Sequence, residues 1–379
     1  MSSAMSLDEL VTGRCVLLVN AIRADVPSGG NTATQALLTR WRERGLCRPH
    51  QLDLNPGVGT SMLAFALATL PAALFVQWGR MSGRIWLEFL FRASPWLLLR
   101  CVWARWRLRP DVVVLNHHAA FLYRWAFAGS RCVLVWHDVP SLKRDESRDV
   151  RRDKRRCAAF ERWAIRGATL NATFSFDDAR ALALLHRRPA EVVPVITPPA
   201  APRTVPPSPG RWLLVGNWTR AENTEGAQAF LLACAEFLAR GEATATAEFH
   251  VAGHGSEQFM ERLRAAHPAV RSLDLRVTAR YGEMRDFDEA ALLAPLLRGA
   301  GIKLKTIEAW AAGIPVVGTR QAFTGMPARL WRRGGLRVPS IEAMARLCLT
   351  AGAFAGHAGA LDPSGAYAAY RQAIVDSAA

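Results

Sequence analysis

Short apolar runs alternate along this chain with longer segments of helical spacing. Arg14-Cys-Val-Leu-Leu-Val-Asn20, Asp111-Val-Val-Val-Leu-Asn116, Arg131-Cys-Val-Leu-Val-Trp136 and Glu191-Val-Val-Pro-Val-Ile196 are apolar at nearly every position. Runs this short that stay apolar on both faces read as strands of a parallel sheet covered on both sides. Parallel strands need crossovers, and a helical pattern from Thr32 to about Arg44 supplies the first. A second alternation follows: strand 212–216, helix 223–240, strand 247–252, helix 255–267, strands 273–277 and 290–295, helix 303–313 and strand 314–318. Between the two series lies Thr197–Gly210, where six of fourteen residues are proline, so an extended linker is expected. The pattern predicts an α/β protein with an amino-terminal domain over 1–200, a proline-rich linker over 201–210, a carboxyl-terminal domain over 211–362 and a final helix within 363–379.

One region does not fit the alternation. No charged residue stands between Leu54 and Gly79, but the strongly apolar part, Met62–Trp78, is only 17 residues long and contains Pro71. That is short for a spanning helix, and a buried or half-inserted helix is the expected form. Beyond Pro95, positions Trp96, Arg100, Trp103 and Arg107 fall on one helical stripe. Tryptophan beside arginine suits an anionic membrane surface; the alternative is an amphipathic helix whose leucines pack on the sheet. Residues 143–166 hold ten Lys or Arg against five acids, including Asp153 and Glu161. A solvated helix is the default for such a run, with an anionic-lipid or pyrophosphate contact as the sharper reading.

Composition narrows the partners. Lys and Arg number 48 against 32 Asp and Glu, a formal net charge of +16, so an acidic partner is expected. Nucleic acid is disfavoured, because the aromatic residues lie in the apolar helix and not among the basic run. The seven cysteines are dispersed with no CxxC pair, which argues for a reducing compartment and against a zinc site. Met1–Glu9 has neither the charged start nor the apolar run of a signal peptide. A cytoplasmic protein, peripheral on the inner face of the cell membrane, is the expectation.

The chemistry concentrates in Gly299–Thr319. Gly299 and Gly301 precede a helix start carrying Lys303 and Lys305, an arrangement suited to phosphate. Glu308, one turn deeper, suits sugar or ribose hydroxyls, because an ionised carboxylate only accepts hydrogen bonds. Phosphate and hydroxyl recognition together point to a nucleotide-sugar. Asn217, Arg220 and Asn223 follow the strand at 212–216, and Gly253 and Gly255 follow the next. In the first half, Gly29 and Gly30 lie in a strand–loop–helix unit that is not GxGxxG, with Asp25 a candidate acceptor base. His117 and His118 follow one strand and His137-Asp138 the next, at the carboxyl ends where α/β sheets place ligands. The bland readings are a strand-capping histidine and a loop-stabilising His–Asp pair. No Ser/His/Asp or Cys/His spacing supports a hydrolase. Asp177-Asp178 reads as a helix cap and not as a metal motif, so neither metal nor cofactor is expected.

Val215-Gly-Asn-Trp218, Val251-Ala-Gly-His-Gly255, Ala294-Pro-Leu296, Gly299-Ala-Gly-Ile-Lys303 and Glu308-Ala-Trp-Ala-Ala-Gly-Ile-Pro-Val-Val-Gly-Thr319 occur in that order. Over roughly 211–327 the chain resembles the donor-binding half of the family 4 (group 1) glycosyltransferases. The resemblance implies the GT-B fold, two Rossmann-like domains with ligand in the cleft between them and a last helix crossing back. It implies a nucleotide-diphosphate sugar donor, a histidine near the anomeric centre (His118 before His117) and retention of configuration. The basic pair that holds the diphosphate in the family is half present: Arg220 matches, but the expected lysine falls on Glu225. The paired glutamates are also half present, with Ala300 eight positions before Glu308. The expected activity is sugar transfer to a lipid-linked or glycan acceptor in polysaccharide or glycoconjugate synthesis. The alternatives are another sugar-nucleotide enzyme on the same fold, such as an epimerase, and a basic non-enzymatic binding protein.

Overall fold

The structure, a computed structural model, describes residues 5–20, 29–54, 95–139, 150–193, 195, 207–299 and 301–378. The chain divides into two compact units, Met1–Val195 with Ser377–Ala379, and Ile196–Asp376. Asp25 and the uncharged stretch 55–79 lie outside the described residues, as does the linker between 196 and 206.

The first unit is a parallel sheet of β1 (Val16–Asn20), β2 (His50–Asp53), β3 (Val112–Asn116), β4 (Arg131–Trp136), β5 (Leu170–Thr173) and β6 (Glu191–Val192). The spatial order is β2-β1-β3-β4-β5-β6. β1 and β3 are buried at every position, as their unbroken apolar runs require. β2 is polar and mostly exposed; only its pairing with Leu17–Asn20 makes it a strand, so its composition gave no signal. The helices are α1 (Leu7–Val11), α2 (Gly29–Glu43), α3 (Pro95–Leu108), α4 (Val150–Gly167) and α5 (Phe176–His186), with a 3-10 segment over His118–Phe127. From β1 the chain turns through α2 to the edge strand β2, whereas from β3 it turns the other way to β4. The connections therefore part company at the carboxyl ends of β1 and β3, which opens a crevice there.

Two helices differ from their expected faces. α3 buries Leu97, Cys101 and Ala104, while Arg100 is half-buried. Its outer face carries Trp96, Leu98, Leu99, Val102, Trp103 and Trp106, with Trp106 74% exposed. Leu98 and Leu99 therefore do not pack on the sheet, and the solvent-facing surface is more apolar than the Trp96/Arg100/Trp103/Arg107 stripe suggested. In α4, Glu161 is fully buried and not solvated: its Oε2 lies 3.1 Å from His186 Nε2 on α5. Buried Phe160, Ala164 and Ile165 set the inward face, and Glu161 falls on it. Among the described residues no helix is long and apolar enough to cross a membrane.

The second unit holds β7 (Ser208–Val215), β8 (Glu248–Ala252), β9 (Asp274–Thr278), β10 (Glu289–Ala294), β11 (Val316–Gly318) and β12 (Gly335–Arg337), all parallel, in the order β12-β11-β10-β7-β8-β9. Its helices are α6 (Ala221–Ala239), α7 (Ser256–Ala266), α8 (Leu304–Ala311), α9 (Ala328–Gly334), α10 (Ile341–Leu349), α11 (Ala355–Ala358) and α12 (Pro363–Ala378). Ser208-Pro-Gly210, expected in the linker, begins β7 instead. Register shifts there, from Ser208 opposite Glu289 to Trp212 opposite Ala291, so Pro209 sits in a bulge where its missing N–H breaks no ladder. The core packs Trp212, Phe230, Phe249, Met260 and Met344 around the sheet. At the start of α12, Asp362 accepts from Arg333 Nε at 2.8 Å and from Gly365 N–H at 2.8 Å. Residues of α12 up to Asp376 belong to this unit and the last three of the chain to the first.

Candidate functional site

In the second sheet the connections diverge between β7 and β10, since β7 leads through α6 to β8 and β10 leads on to β11. The groups singled out from sequence gather at the carboxyl ends of these two strands. α8 is anchored by buried Ile307, Ala309 and Trp310, whose indole N–H donates to Gly334 O at 2.8 Å. That fixes the opposite side of the helix, where Lys305 and Glu308 are three residues apart and face the same way. Lys305 Nζ donates to Val215 O and to Asn223 Oδ1, both at 2.9 Å. Two of its three protons are thereby committed to the β7–α6 connection, and the third remains for a ligand.

Sequence reading placed Lys303 first, and the structure brings both lysines to the site. Lys303 is the N-cap residue of α8. Gly299 has φ +126°, and a Cβ there would stand 2.9 Å from Lys303 Nζ, so a side chain would displace the ammonium. Gly301, at φ 70°, completes the turn into the helix. Arg220 caps α6 at its exposed end and pairs with Glu222 at 3.3 Å. Burial pushes the Lys305 ammonium down to about 8, and the nearby charges of Lys303 and Arg220 push in the same direction against Glu308. Burial likewise raises the Glu308 carboxyl, and Lys305 opposes that rise. The residue at the position of the expected lysine, Glu225, is paired with Arg298. Lys305 reaches the same connection from α8 instead.

Asn217 and the second glycine pair lie in the loops that follow β7 and β8. The Asn217 side chain accepts from Thr219 N–H at 3.1 Å, and the Asn217 backbone carbonyl accepts from Asn223 Nδ2 at 2.9 Å. A Cβ on Gly253 would lie 2.2 Å from Gly216 O, so this glycine lets two loop backbones touch; the space is taken by protein. Gly255 is the N-cap residue of α7. Tyr281, not singled out from sequence, lies close to the same carboxylate: burial and then the Glu308 charge raise its phenol to about 12. Only the fold brings the loop after β9 to α8.

In the first unit, Asn20 and Asn116 end β1 and β3 and stand opposite one another in register. Asn116 Nδ2 donates to Asn20 Oδ1 at 3.0 Å and to Thr34 Oγ1 of α2 at 2.8 Å. Its carbonyl oxygen is 2.7 Å from His137 Nε2. Because Asn116 Oδ1 can only accept, this network assigns the His137 proton to Nε2. Burial drives the imidazole down to about 4, with Asp138 opposing, so His137 is neutral at pH 7. His117 has φ 82° and ψ 140°, a region costly for a side-chain-bearing residue, and its Nδ1 accepts from Ala119 N–H at 3.2 Å. Its ring lies 3.9 Å, centroid to centroid, from that of His118. His118 is buried against Trp136, with Nδ1 3.8 Å from Asp138 Oδ1. Ligand atoms of His117, His118 and Asp138 lie within 4.8 Å of one another. Gly29 and Gly30 form the first turn of α2 and not a free loop. Asn20 and Thr34 were not legible as site residues, since the β1–β3 register and the placement of α2 are tertiary facts.

Two doubly wound parallel units, with cations and a carboxylate at the switch point of the second, define an α/β protein of the GT-B fold. Residues 210–351, all within the second unit, match the family of glycosyl transferases group 1. The fold is similar to that of HepE from Anabaena in complex with UDP-glucose, at 12% identity and a TM-score of 0.62 over 96% of this chain and 97% of that one. It is also similar to the sucrose-phosphate synthase of Thermosynechococcus elongatus, at 13% identity and a TM-score of 0.64 over 96% of each chain. The lipopolysaccharide outer core galactosyltransferase WaaB aligns at 13% identity and a TM-score of 0.54, covering 96% of this chain and 99% of that one. No curated protein matches the chain by sequence.

Proposed function

We propose that this chain transfers a sugar from a nucleotide-diphosphate sugar to a lipid-linked glycan acceptor at a membrane surface. The observation that carries the donor is the grouping of Arg220, Lys303, Lys305 and Glu308 at the carboxyl ends of β7 and β10. The leaving nucleoside diphosphate gains negative charge as the sugar departs. Lys305, held by Val215 and Asn223, together with Lys303, Arg220 and the start of α8, stabilises that charge, so the reaction needs no metal. Glu308 accepts from the ribose hydroxyls. With Ala300 in place of a second carboxylate, the transferred sugar is held largely by other groups, and retention is the outcome that the family implies. UDP-glucose bound to HepE supports a nucleotide-sugar donor.

A thermal-shift screen with UDP-, GDP-, ADP- and TDP-sugars tests this. One of them stabilises the protein by about 2.7 kcal/mol at a hundred times its dissociation constant. The shift persists in a chelator and shrinks at equal ligand in Glu308→Ala and Lys303→Ala. A screen in which no nucleotide-sugar raises the melting temperature overturns the donor reading.

The acceptor reading rests on α3, whose outer face exposes Trp96, Leu99, Trp103 and Trp106, with the Arg107 guanidinium 5.1 Å over the Trp103 ring. Contiguous apolar surface of this kind, edged by arginine, suits the interfacial layer of a bilayer. WaaB, as a lipopolysaccharide galactosyltransferase, supports an acceptor of this class. Trp96→Ser with Trp103→Ser weakens vesicle co-sedimentation at least tenfold; unchanged sedimentation refutes the membrane contact.

A further inference from the structure

At the opposite end of the first sheet from Asn20, Asn116 and His137, a cavity of about 640 Å³ is lined by Arg14, Arg105, Trp106, Arg109, Asp111 and Arg131. Arg14 precedes β1, Asp111 precedes β3 and Arg131 opens β4, so the cavity sits at the amino-terminal ends of strands whose carboxyl ends carry the histidines. Four guanidiniums face one carboxylate. Asp111 Oδ2 accepts from Cys15 N–H at 3.0 Å, and its one negative charge leaves the cluster with an excess of three positive charges. Among the described residues none of the four arginines forms an ion pair; Arg14 Nη1 instead donates to Leu10 O at 2.9 Å, and Arg131 Nη1 lies 3.6 Å from Met5 Sδ. Gly129 has φ +95°, and a Cβ there would come 3.3 Å from Arg105 Nη2, so the glycine leaves that guanidinium its place. Arg109 is held at φ 45°, an uncommon conformation for arginine, by closing the end of α3 through its N–H to Arg105 O at 2.8 Å.

We propose that this cavity is a phosphate-binding site. Guanidinium forks match phosphate oxygens bidentately, and a dianion offsets the mutual repulsion of four cations gathered in one place. Trp106 lines the cavity and is also part of the exposed apolar face of α3. Tryptophan settles at the level of lipid headgroups, which puts the cavity at the depth of headgroup phosphates. A phospholipid headgroup and a soluble phosphate share the required chemistry. The lipid source rests on the membrane contact proposed above; the phosphate site does not.

The test uses the full chain and the variant Arg109→Gln/Arg131→Gln, both positions being exposed, with circular dichroism to establish that it folds. Vesicles of phosphatidylcholine alone and of phosphatidylcholine with phosphatidylglycerol are compared by co-sedimentation, and inorganic phosphate is titrated by thermal shift. The expected result is that the wild type prefers the anionic vesicles and the variant loses roughly 30-fold on them, with little change on phosphatidylcholine. Loss of only the phosphate-induced shift in the variant upholds the site and assigns it to a soluble phosphate. Wild-type behaviour of the variant in both measurements overturns the proposal. Trp96→Ser/Trp103→Ser lowers binding to both vesicle types and leaves the phosphate shift intact, so failure of the membrane contact is read separately.

Discussion

Lys305→Gln lowers kcat/KM for the nucleotide-sugar donor about 30-fold, the loss expected when one charge-assisted contact of roughly 2 kcal/mol disappears. The wild-type profile of kcat/KM against pH falls above about 8, because burial beside Lys303 and Arg220 puts the Lys305 ammonium there and the neutral amine no longer attracts the diphosphate. In the variant that limb is absent. Stability moves the other way. The folded pKa lies below the unfolded value of 10.5, so between about 8 and 10.5 the unfolded chain binds more protons and the native state gains stability as pH rises. At neutral pH the buried charge costs on the order of 3 kcal/mol, and removing it offsets the loss of the bonds to Val215 and Asn223. The variant therefore melts within a few degrees of the wild type while its donor kinetics collapse. A variant that keeps the alkaline limb removes Lys305 from the diphosphate site.

Asn116→Leu has the largest expected effect on stability. Asn116 is fully buried and joins Asn20, Thr34 and His137, so one substitution breaks three hydrogen bonds. At about 1 kcal/mol for each bond, and more where the partner loses its compensation, the cost is roughly 3–5 kcal/mol. That lowers the melting temperature by about 10 °C for a unit of this size. The same network sets the acid limit. His137 titrates near 4 when folded and at 6.5 when unfolded, so as pH falls through that window the unfolded chain takes up a proton that the native state refuses. The wild type loses on the order of 3 kcal/mol between pH 6.5 and 4, measured by denaturant unfolding at each pH. A His137→Gln variant with the same acid dependence removes His137 as the cause.

Much of this was legible in the chain because the physics involved is local. A buried parallel strand must be apolar at each position, so β1, β3 and β4 stood out, as did β7, β8, β10 and β11; β5 and β12 did not. The phosphate-and-hydroxyl segment was legible for the same reason: glycines, lysines and Glu308 follow one another within one loop and one helix. Other features were not. The polar strand β2 exists through its neighbour β1. Glu161 is buried because of the face that Phe160 and Ile165 give α4, and a count of charges cannot see a face. The exposed tryptophans of α3 reflect which side the sheet covers, and the exposure of Leu98 and Leu99 goes against the alternative in which the leucines pack on the sheet.

The sequence by itself determined two alternating α/β halves, a proline-rich join and the residue types of a nucleotide-sugar site, because secondary structure and local motifs are set by neighbours along the chain. Tertiary structure alone decided the strand order, and with it the two switch points. It brought Lys305 from α8 to the end of β7, in place of the lysine that the family resemblance expects at Glu225, and it joined Asn20, Thr34, Asn116 and His137 from four separate elements. It also gathered four arginines at the far end of the first sheet. Such groupings depend on register and packing between segments distant in sequence, and no local pattern encodes them.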